Sequence, residues 1–330
     1  MTNSQRIGKK SLNRLAKIQK KVLAYGETLW DLLPTGAVLG GAPFNFAYRV
    51  NSLGDRGLIV SRLGRDELGQ KAASQVVALD MDTSYIQWDE EHPTGTVQIS
   101  FDEKSNPDYY IVPGVAYDNI EVTQALLKIG AAADCLCFGT LIQRTPRARQ
   151  TLEKLLNVGR DSLKLLDINL RKKCYTRETV VLSLKEANIL KLNDEEARQL
   201  AEMFEISTPD IPAFCKEMIE KWKLSHCLVT FGERGAFAAS REDDQAYVPG
   251  YKVNLVDPCG SGDAFTAGFI HRLLRGRPLA ECCRLANAMG AIVASQKGAT
   301  APISTDDIKQ FIEAAPHRIF EPRLKQFAIF

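Results

Sequence analysis

Short apolar runs rich in β-branched residues alternate with helical patterns from residue 21 onward, and this alternation restricts the folds open to the chain more than any other feature. Residues 22–25, 57–61, 135–138, 163–167, 189–192 and 227–230 read as buried strands. Between them, residues 44–53, 67–79, 122–130, 147–158, 179–186 and 211–222 read as helices. Continuous apolar strands alternating with helices predict an α/β fold, a doubly wound, mostly parallel sheet flanked by helices on both faces. At 330 residues and 45% apolar content the chain is large enough to bury the core of one such domain.

Two stretches depart from the alternation. Residues 35–39 and 84–112 have strand character with alternating polar positions (Thr96, Gln98, Ser100) and no helix between them. They predict a small antiparallel β lid over the main sheet, with inserted strands at about 32–42 and 84–113. Residues 260–296 read as two successive helices broken near Gly276 and Pro278. The segment 318–330 is apolar for a tail, which predicts that it packs against the body.

Charge and cysteine usage exclude several classes. The 42 basic and 40 acidic side chains leave +2, no footprint for nucleic acid or an acidic membrane. Seven of the basic residues and no acidic one fall in the first 21 positions. The chain therefore divides into a basic N-terminal extension, 1–20, and one domain, 21–330. That extension lacks the apolar block of a secretory signal, so a transit peptide and a solvated extension are the readings open to it. Apolar stretches are interrupted, as 125–142 is by Lys128 and Asp134, so no membrane span is expected. Eight scattered cysteines without a CxxC pair point to a reducing, cytoplasmic setting rather than disulfides or zinc.

A P-loop is absent, and the turn after the first strand, Gly26-Glu27-Thr28-Leu29-Trp30-Asp31, lacks the glycines of a dinucleotide site. The most informative stretch is Asp257-Pro258-Cys259-Gly260-Ser261-Gly262-Asp263, which runs straight into a helical pattern. Small residues at a helix start expose unpaired N–H groups whose dipoles attract a phosphate or a developing anion. Asp263 beside them could take a hydroxyl proton as that oxygen attacks phosphorus, or it could serve only as a helix-start residue. A second unit, Gly40-Gly41-Ala42-Pro43-Phe44-Asn45-Phe46-Ala47, pairs glycines that let backbone approach a ligand with an amide able to bond hydroxyls. Asp31 adds an acceptor for paired hydroxyls, with a turn or cap role as its other reading.

The segments from Gly40 to Gly64 and from Asp257 to Ile270 resemble the two signatures of the ribokinase-like (PfkB) carbohydrate kinases, most closely the fructokinases. Asn193-Asp194-Glu195-Glu196 resembles the family's NxxE element, Thr230-Phe231-Gly232-Glu233-Arg234-Gly235 its TxGxxG turn, and Asp167-Ile168-Asn169-Leu170-Arg171 its DxNxR segment. The likeness spans roughly residues 21 to 313. It implies an ATP-dependent sugar kinase with Asp263 as base and Gly260, Ser261 and Gly262 as anion hole. Asp31, Gly40, Gly41, Asn45, Asn169 and Arg171 would bind the sugar. Asn193 and Glu196 would organise Mg²⁺ and the phosphates through water, unless they are simply a helix start with a first-turn acid. Thr230, Gly232 and Gly235 would approach the ATP phosphates, and Asn287 and Gly298 would lie near the adenine. Pro258 stands where the family often has Thr, and Ser261 where it has Ala. A monovalent cation, which some members of that family bind through carbonyls beside this loop, is a further cofactor the resemblance leaves open, with the nearby Cys259 and Lys297 counting against it.

The same resemblance ranks the acceptors. Fructose comes first, and 2-keto-3-deoxygluconate follows because Arg171 could clamp a carboxylate or merely pair with a sheet-edge acid. A nucleoside would stack on lid aromatics, for which Trp88, Phe101, Tyr109 and Tyr110 are candidates, though such rings also serve as lid core. A catalytically silent ribokinase-like scaffold is the reading from another class, disfavoured by the intact Asp263. A homodimer through the lid's strand edges is left open.

Overall fold

The apolar runs pair as their alternation demands. The computed structural model describes residues 19–33, 36–101, 107–207, 210–314 and 317–329, so most of the basic extension and Thr35 lie outside the described residues. Strand β1 (Lys21–Tyr25) leads into β2 (Leu29–Leu33) and β3 (Gly36–Gly40), then helix α1 (Ala42–Ser52), β4 (Arg56–Gly64), α2 (Glu67–Ala78) and β5 (Ile86–Asp89). Next come β6 (Gly95–Phe101), β7 (Pro107–Ile111), α3 (Gln124–Ala131), β8 (Cys135–Phe138), α4 (Pro146–Val158) and β9 (Leu163–Asp167). They are followed by α5 (Arg177–Glu186), β10 (Ile189–Asn193), α6 (Asp194–Met203), α7 (Ile211–Trp222), β11 (His226–Thr230), β12 (Ala236–Ser240) and β13 (Gln245–Val248). The chain then runs through β14 (Gly250–Tyr251), α8 (Ser261–Leu273), α9 (Leu279–Ala294), α10 (Thr305–Glu313) and β15 (Arg318–Ile319).

The main sheet has nine strands in the order β13-β12-β11-β10-β9-β8-β1-β4-β5. From β11 to β5 every pairing is parallel, and β12 and β13 add antiparallel at one end. Alternate residues serve opposite faces: Leu23 and Tyr25 join one core, Val22 and Ala24 the other. The first core packs under α3 to α7, with Leu152, Leu184, Leu200 and Met218, and the second under α1, α2 and α8 to α10, with Phe44, Val76, Phe269 and Ile308. Both faces being covered is why the strands read as unbroken apolar runs.

Helix starts are written locally. Asp66, Thr123, Thr176, Asn193, Asp210 and Ser304 each accept a backbone N–H of the first turn. Each such cap contributes about 1 kcal/mol. The expected break between α8 and α9 falls between Leu273 and Leu279, and the two helices meet closely at Gly268, where an added Cβ would lie 3.0 Å from Ala286 Cα.

The separate small sheet forms, in the order β3-β2-β6-β7. Its outer pairs are antiparallel as expected, while its middle pair, β2 with β6, runs parallel. Part of the predicted lid stretch belongs elsewhere: β5 pairs in parallel with β4 in the main sheet, because α2 is a crossover long enough to bring the chain back beside β4. Trp88 goes with it, and the Arg65 guanidinium lies over its ring at 5.7 Å. The side chains of Phe101 and Tyr109 lie outside what is described.

The apolar C-terminal segment closes an edge. Leu324 is buried, Phe327 meets Phe237 edge to face, Ala328 bridges to Tyr247, and Ile329 N–H donates to the Tyr247 carbonyl. It covers the outer strand β13, which would otherwise present unpaired groups. At the other end, Lys20 accepts from Arg56 N–H and its ammonium pairs with Asp134, so the last residues of the predicted extension are part of the fold. Among the described residues no helix is long and apolar enough to cross a membrane.

Candidate active site

β1 lies between β4 and β8, so the chain leaves it toward both sides of the sheet. Such a switch point opens a crevice outside the carboxyl ends of the strands. The segments following β1, β9, β10 and β11 all arrive there, bringing residues 26–31, 167–171, 193–196 and 230–235 together from distant parts of the sequence. Asn193 and Thr230 are register partners at the ends of adjacent strands.

The turn before α8 faces the same crevice. Gly260 caps the helix with φ of 76°, a left-handed conformation glycine adopts at little cost, and an added Cβ would lie 2.4 Å from Ala299 Cβ. Ser261 turns both its N–H and its hydroxyl back to the Pro258 carbonyl. This departs from the expected anion-hole set: the amides that find no acceptor among the described residues are those of Gly260, Gly262 and Asp263. Asp263, in the first turn and 9% exposed, accepts from Asn45 Nδ2 at 2.9 Å. Burial, reinforced by the nearby Asp167 charge, pushes its pKa up to about 6 against the opposing pull of Asn45, Lys191 and Arg171. Asn45 Oδ1 is buried without a partner among the described residues.

Asp31 sits on β2 in the lid, its carboxyl 2.9 Å from where a Cβ on Gly40 would stand. A larger residue at position 40 would displace that carboxylate. Gly41 has φ of 110°, and a Cβ there would strike the Glu27 carbonyl at 2.4 Å. Asn169 holds φ of 40° in the turn after β9, and Arg171, exposed beyond it, is within electrostatic reach of Glu27, Asp31 and Asp263.

On the other side, Asn193 Oδ1 accepts from Glu196 N–H while Glu196 Oε2 accepts from Asn193 N–H, both at 2.8 Å. Glu196 Oε1 accepts from Leu170 N–H at 2.9 Å. The helix-start reading of this pair therefore holds, and it also ties the NxxE and DxNxR segments together. Gly232 and Gly235 shape a 3-10 turn with positive φ after Thr230. Asn287 Nδ2 donates to the Val248 carbonyl at 2.7 Å and to the Pro249 carbonyl at 3.4 Å, bracing the corner between β13 and β14. Gly298 N–H donates to Asp257 Oδ2 at 3.1 Å, tying its loop to the turn before α8.

Three charged residues at this site escaped the sequence reading. Glu27 is buried in the turn between β1 and β2, where desolvation pushes its pKa up to about 7. Arg49, fully buried on α1 one turn after Asn45, donates to the carbonyls of Ala299 and Ala301, so two carbonyls beside the loop are engaged by the protein itself. Lys191, in the middle of β10, pairs with Asp167 at 2.9 Å. A charge inside an apolar run was the available signal for the last two.

Comparison with known proteins agrees with this architecture. The sequence signature described as pfkB family carbohydrate kinase matches residues 7–306. Fructokinase-1 of Zea mays is 26% identical over 331 residues, covering 91% of this chain and 100% of that protein. A putative sugar kinase of Pyrococcus horikoshii is 27% identical over 278 residues, covering 83% of this chain and 86% of its own. Among solved structures, fructokinase from Vibrio cholerae with fructose, ADP and calcium bound superposes with a TM-score of 0.75 at 23% identity, covering 89% of this chain and 99% of the other. The Xylella fastidiosa fructokinase with bound ATP gives 0.79 at 19% identity, covering 90% and 99%.

Proposed function

The chain belongs to the pfkB family of carbohydrate kinases, phosphotransferases with an alcohol acceptor, and we propose that it transfers the γ-phosphoryl group of ATP to a primary hydroxyl of fructose. The observation that carries this reading is the buried Asp263 carboxyl, bonded to Asn45 and seated among free amides at a helix start. Asp263 takes the hydroxyl proton, and the amides of Gly260, Gly262 and Asp263 receive the charge that develops on the phosphoryl group. Asp31, Asn45 and Arg171 hold the sugar beneath the lid, with Gly40, Gly41 and Asn169 shaping the backbone around it. Thr230, Gly232 and Gly235 approach the ATP phosphates, and Gly298 borders the nucleotide side. Closure of the β2-β3-β6-β7 lid keeps water from competing for the phosphoryl group.

The charge balance favours a neutral sugar. Arg171 is already within electrostatic reach of Glu27, Asp31 and Asp263, so a substrate carboxylate would compete with the site's own acids for it. Fructose, named in the fructokinases of Zea mays and Salmonella typhimurium, therefore precedes 2-keto-3-deoxygluconate.

Asn193 and Glu196 fit a Mg²⁺ that keeps its waters. Their oxygens already accept backbone N–H groups, and among the described residues no cluster of three or more His, Cys, Asp or Glu could hold a metal directly. Bound there with ATP, the ion would neutralise phosphate charge. All eight cysteines are free thiols, which suits a reducing cytoplasmic setting. Among the described residues the lid's edge strands β3 and β7 each pair on one side, leaving a route by which a second copy could add.

The deciding experiment is ADP release from Mg·ATP with fructose, ribose, 2-keto-3-deoxygluconate, adenosine, inosine and sugar phosphates in turn. Strong turnover with fructose alone is expected. Turnover with none of them while ATP binds would overturn fructose as the acceptor and return a sugar outside this set or the silent-scaffold reading.

Within the site, Asn45→Ala should raise the sugar KM about tenfold or more, the loss typical of an unpaired buried polar contact, with the ATP KM within about twofold. Steady-state kinetics with each substrate varied separates the two. Equal rises would remove Asn45 from the sugar contact.

A further inference from the structure

The β10 run Ile189–Asn193 lies between β9 and β11 in the sheet interior, where an apolar side chain would serve packing as well as Lys191 does. The Lys191 side chain is only 8% exposed. Its ammonium has three N–H groups and one hydrogen bond among the described residues, to Asp167 Oδ1 at 2.9 Å. The other Asp167 oxygen is 2.8 Å from the Thr266 hydroxyl, which also lies 2.9 Å from the Gly262 carbonyl. Lys191 Nζ itself would stand 3.3 Å from a Cβ built on Gly262. The ammonium thus sits directly against the turn whose amides are free, within electrostatic reach of Asp263 and Glu196.

We propose that Lys191 is a catalytic residue of this centre, its two remaining N–H groups meeting the transferring phosphoryl group. The proposal rests on the kinase reading above. In the step, the acceptor oxygen forms a bond to the γ-phosphorus as the bond from that phosphorus to the bridging oxygen breaks. ADP departs with the electron pair, the hydroxyl proton passes to the Asp263 carboxylate, and Lys191 remains protonated throughout. Glycine at 262 has a reason in this arrangement, since a side chain there would press on the ammonium. Asp167 and Thr266 hold the lysine in place from below, so its charge needs no reorganisation when the phosphoryl charge develops.

The test compares binding of a transition-state mimic with binding of the ground state. Lys191→Met should lower kcat by about 10²- to 10³-fold, the range for loss of one such donor. Affinity for ADP with aluminium fluoride, measured in the presence of the active sugar, should fall by a similar factor, while affinity for a non-hydrolysable ATP analogue changes less than about threefold. Equal loss for both analogues, or turnover within about threefold of the parent, overturns the proposal.

If the single variant fails to fold because Asp167 is left unpaired, the comparison moves to Asp167→Asn against Asp167→Asn/Lys191→Met, where the pair is neutralised together. The wild-type protein supplies a readout that needs no variant. The ¹⁵N resonance of the buried Lys191 ammonium should move on adding ADP and aluminium fluoride with the sugar, and a resonance that stays in place rejects the contact. A wild-type protein that phosphorylates no sugar would end the kinase reading and this proposal together, whereas an active wild type with an indifferent lysine ends this proposal alone.

Discussion

Asp263→Asn should lower kcat by about two to four orders of magnitude while ATP affinity stays within about threefold, the signature of a lost general base. The substitution preserves shape and removes only the group that accepts the proton. It also leaves untouched the free amides of the α8 turn, which under the proposed mechanism would supply the residual rate. Wild-type kcat should carry an acid limb set by the same carboxyl. Its pKa is raised to about 6, above the ordinary Asp value, chiefly by burial. The active form is the carboxylate, so turnover is full above that value and falls as pH drops through about 6. In Asp263→Asn the limb should disappear. Turnover measured from pH 5 to pH 8 with saturating sugar reads both effects, and a variant with near-normal turnover would remove Asp263 from the base role.

The turn before α8 and its carboxyl are legible in the sequence because they depend on a short local stretch, although the burial of Asp263 and the set of amides left unpaired are not. Residues 257–263 lie together in sequence, and a helix start exposes N–H groups wherever it occurs. The same holds for β1, β9, β10 and β11, which end at the site and whose apolar runs record burial on both sheet faces. What the chain does not write locally is pairing. Residues 35–39 and 84–112 read as strands, but β2 at Leu29–Leu33 begins inside what reads as a turn, and nothing there or in residues 95–101 states that β2 and β6 run parallel. The two antiparallel strands at the sheet end were also quiet, because Ala236–Ser240 is mostly alanine and carries little of the β-branched signal.

Charged residues inside the core mark a second limit. Lys191 and Arg49 each interrupt an apolar pattern, and their partners lie 24 residues away at Asp167 and some 250 residues away at Ala299. Ser261 shows the converse case. Its position among glycines suggested a free amide, but its hydroxyl is able to share the Pro258 carbonyl with its N–H, and that local turn takes the amide out of the site.

Far from the catalytic end, Asp55→Ala should be the most damaging substitution for stability while leaving kcat and KM near normal. Asp55 precedes β4, at the amino end of the parallel strands, whereas the site lies beyond their carboxyl ends. The Asp55 side chain is 1% exposed and accepts a bidentate pair from Arg275, at 2.7 and 2.9 Å. The same carboxylate lies 2.7 Å from His271 Nδ1 and accepts from Lys20 N–H at 2.9 Å. One carboxylate thus joins the first strand, the start of β4 and helix α8. Truncating it leaves a half-buried guanidinium and an imidazole without their acceptor, a loss of about 3 to 5 kcal/mol for a broken buried pair. For a chain of this size that corresponds to a fall in Tm of about 4 to 7 °C. The pH dependence gives an independent check. Burial alone would raise the Asp55 pKa, but the bonds from His271 and Arg275 outweigh it and hold the value at about 2, below the ordinary 3.8. A depressed carboxylate stabilises the fold above the unfolded-state value and loses that contribution as pH falls through the folded one, here about 2 kcal/mol between roughly pH 4 and pH 2. Urea unfolding of the wild type should therefore weaken over that window by more than Asp55→Ala does, with the gap between the two proteins narrowing as the acid limit is approached. A variant that melts with the wild type at pH 7, or one that loses turnover in proportion to stability, would show that this cluster does not hold the amino end of the sheet as an independent unit.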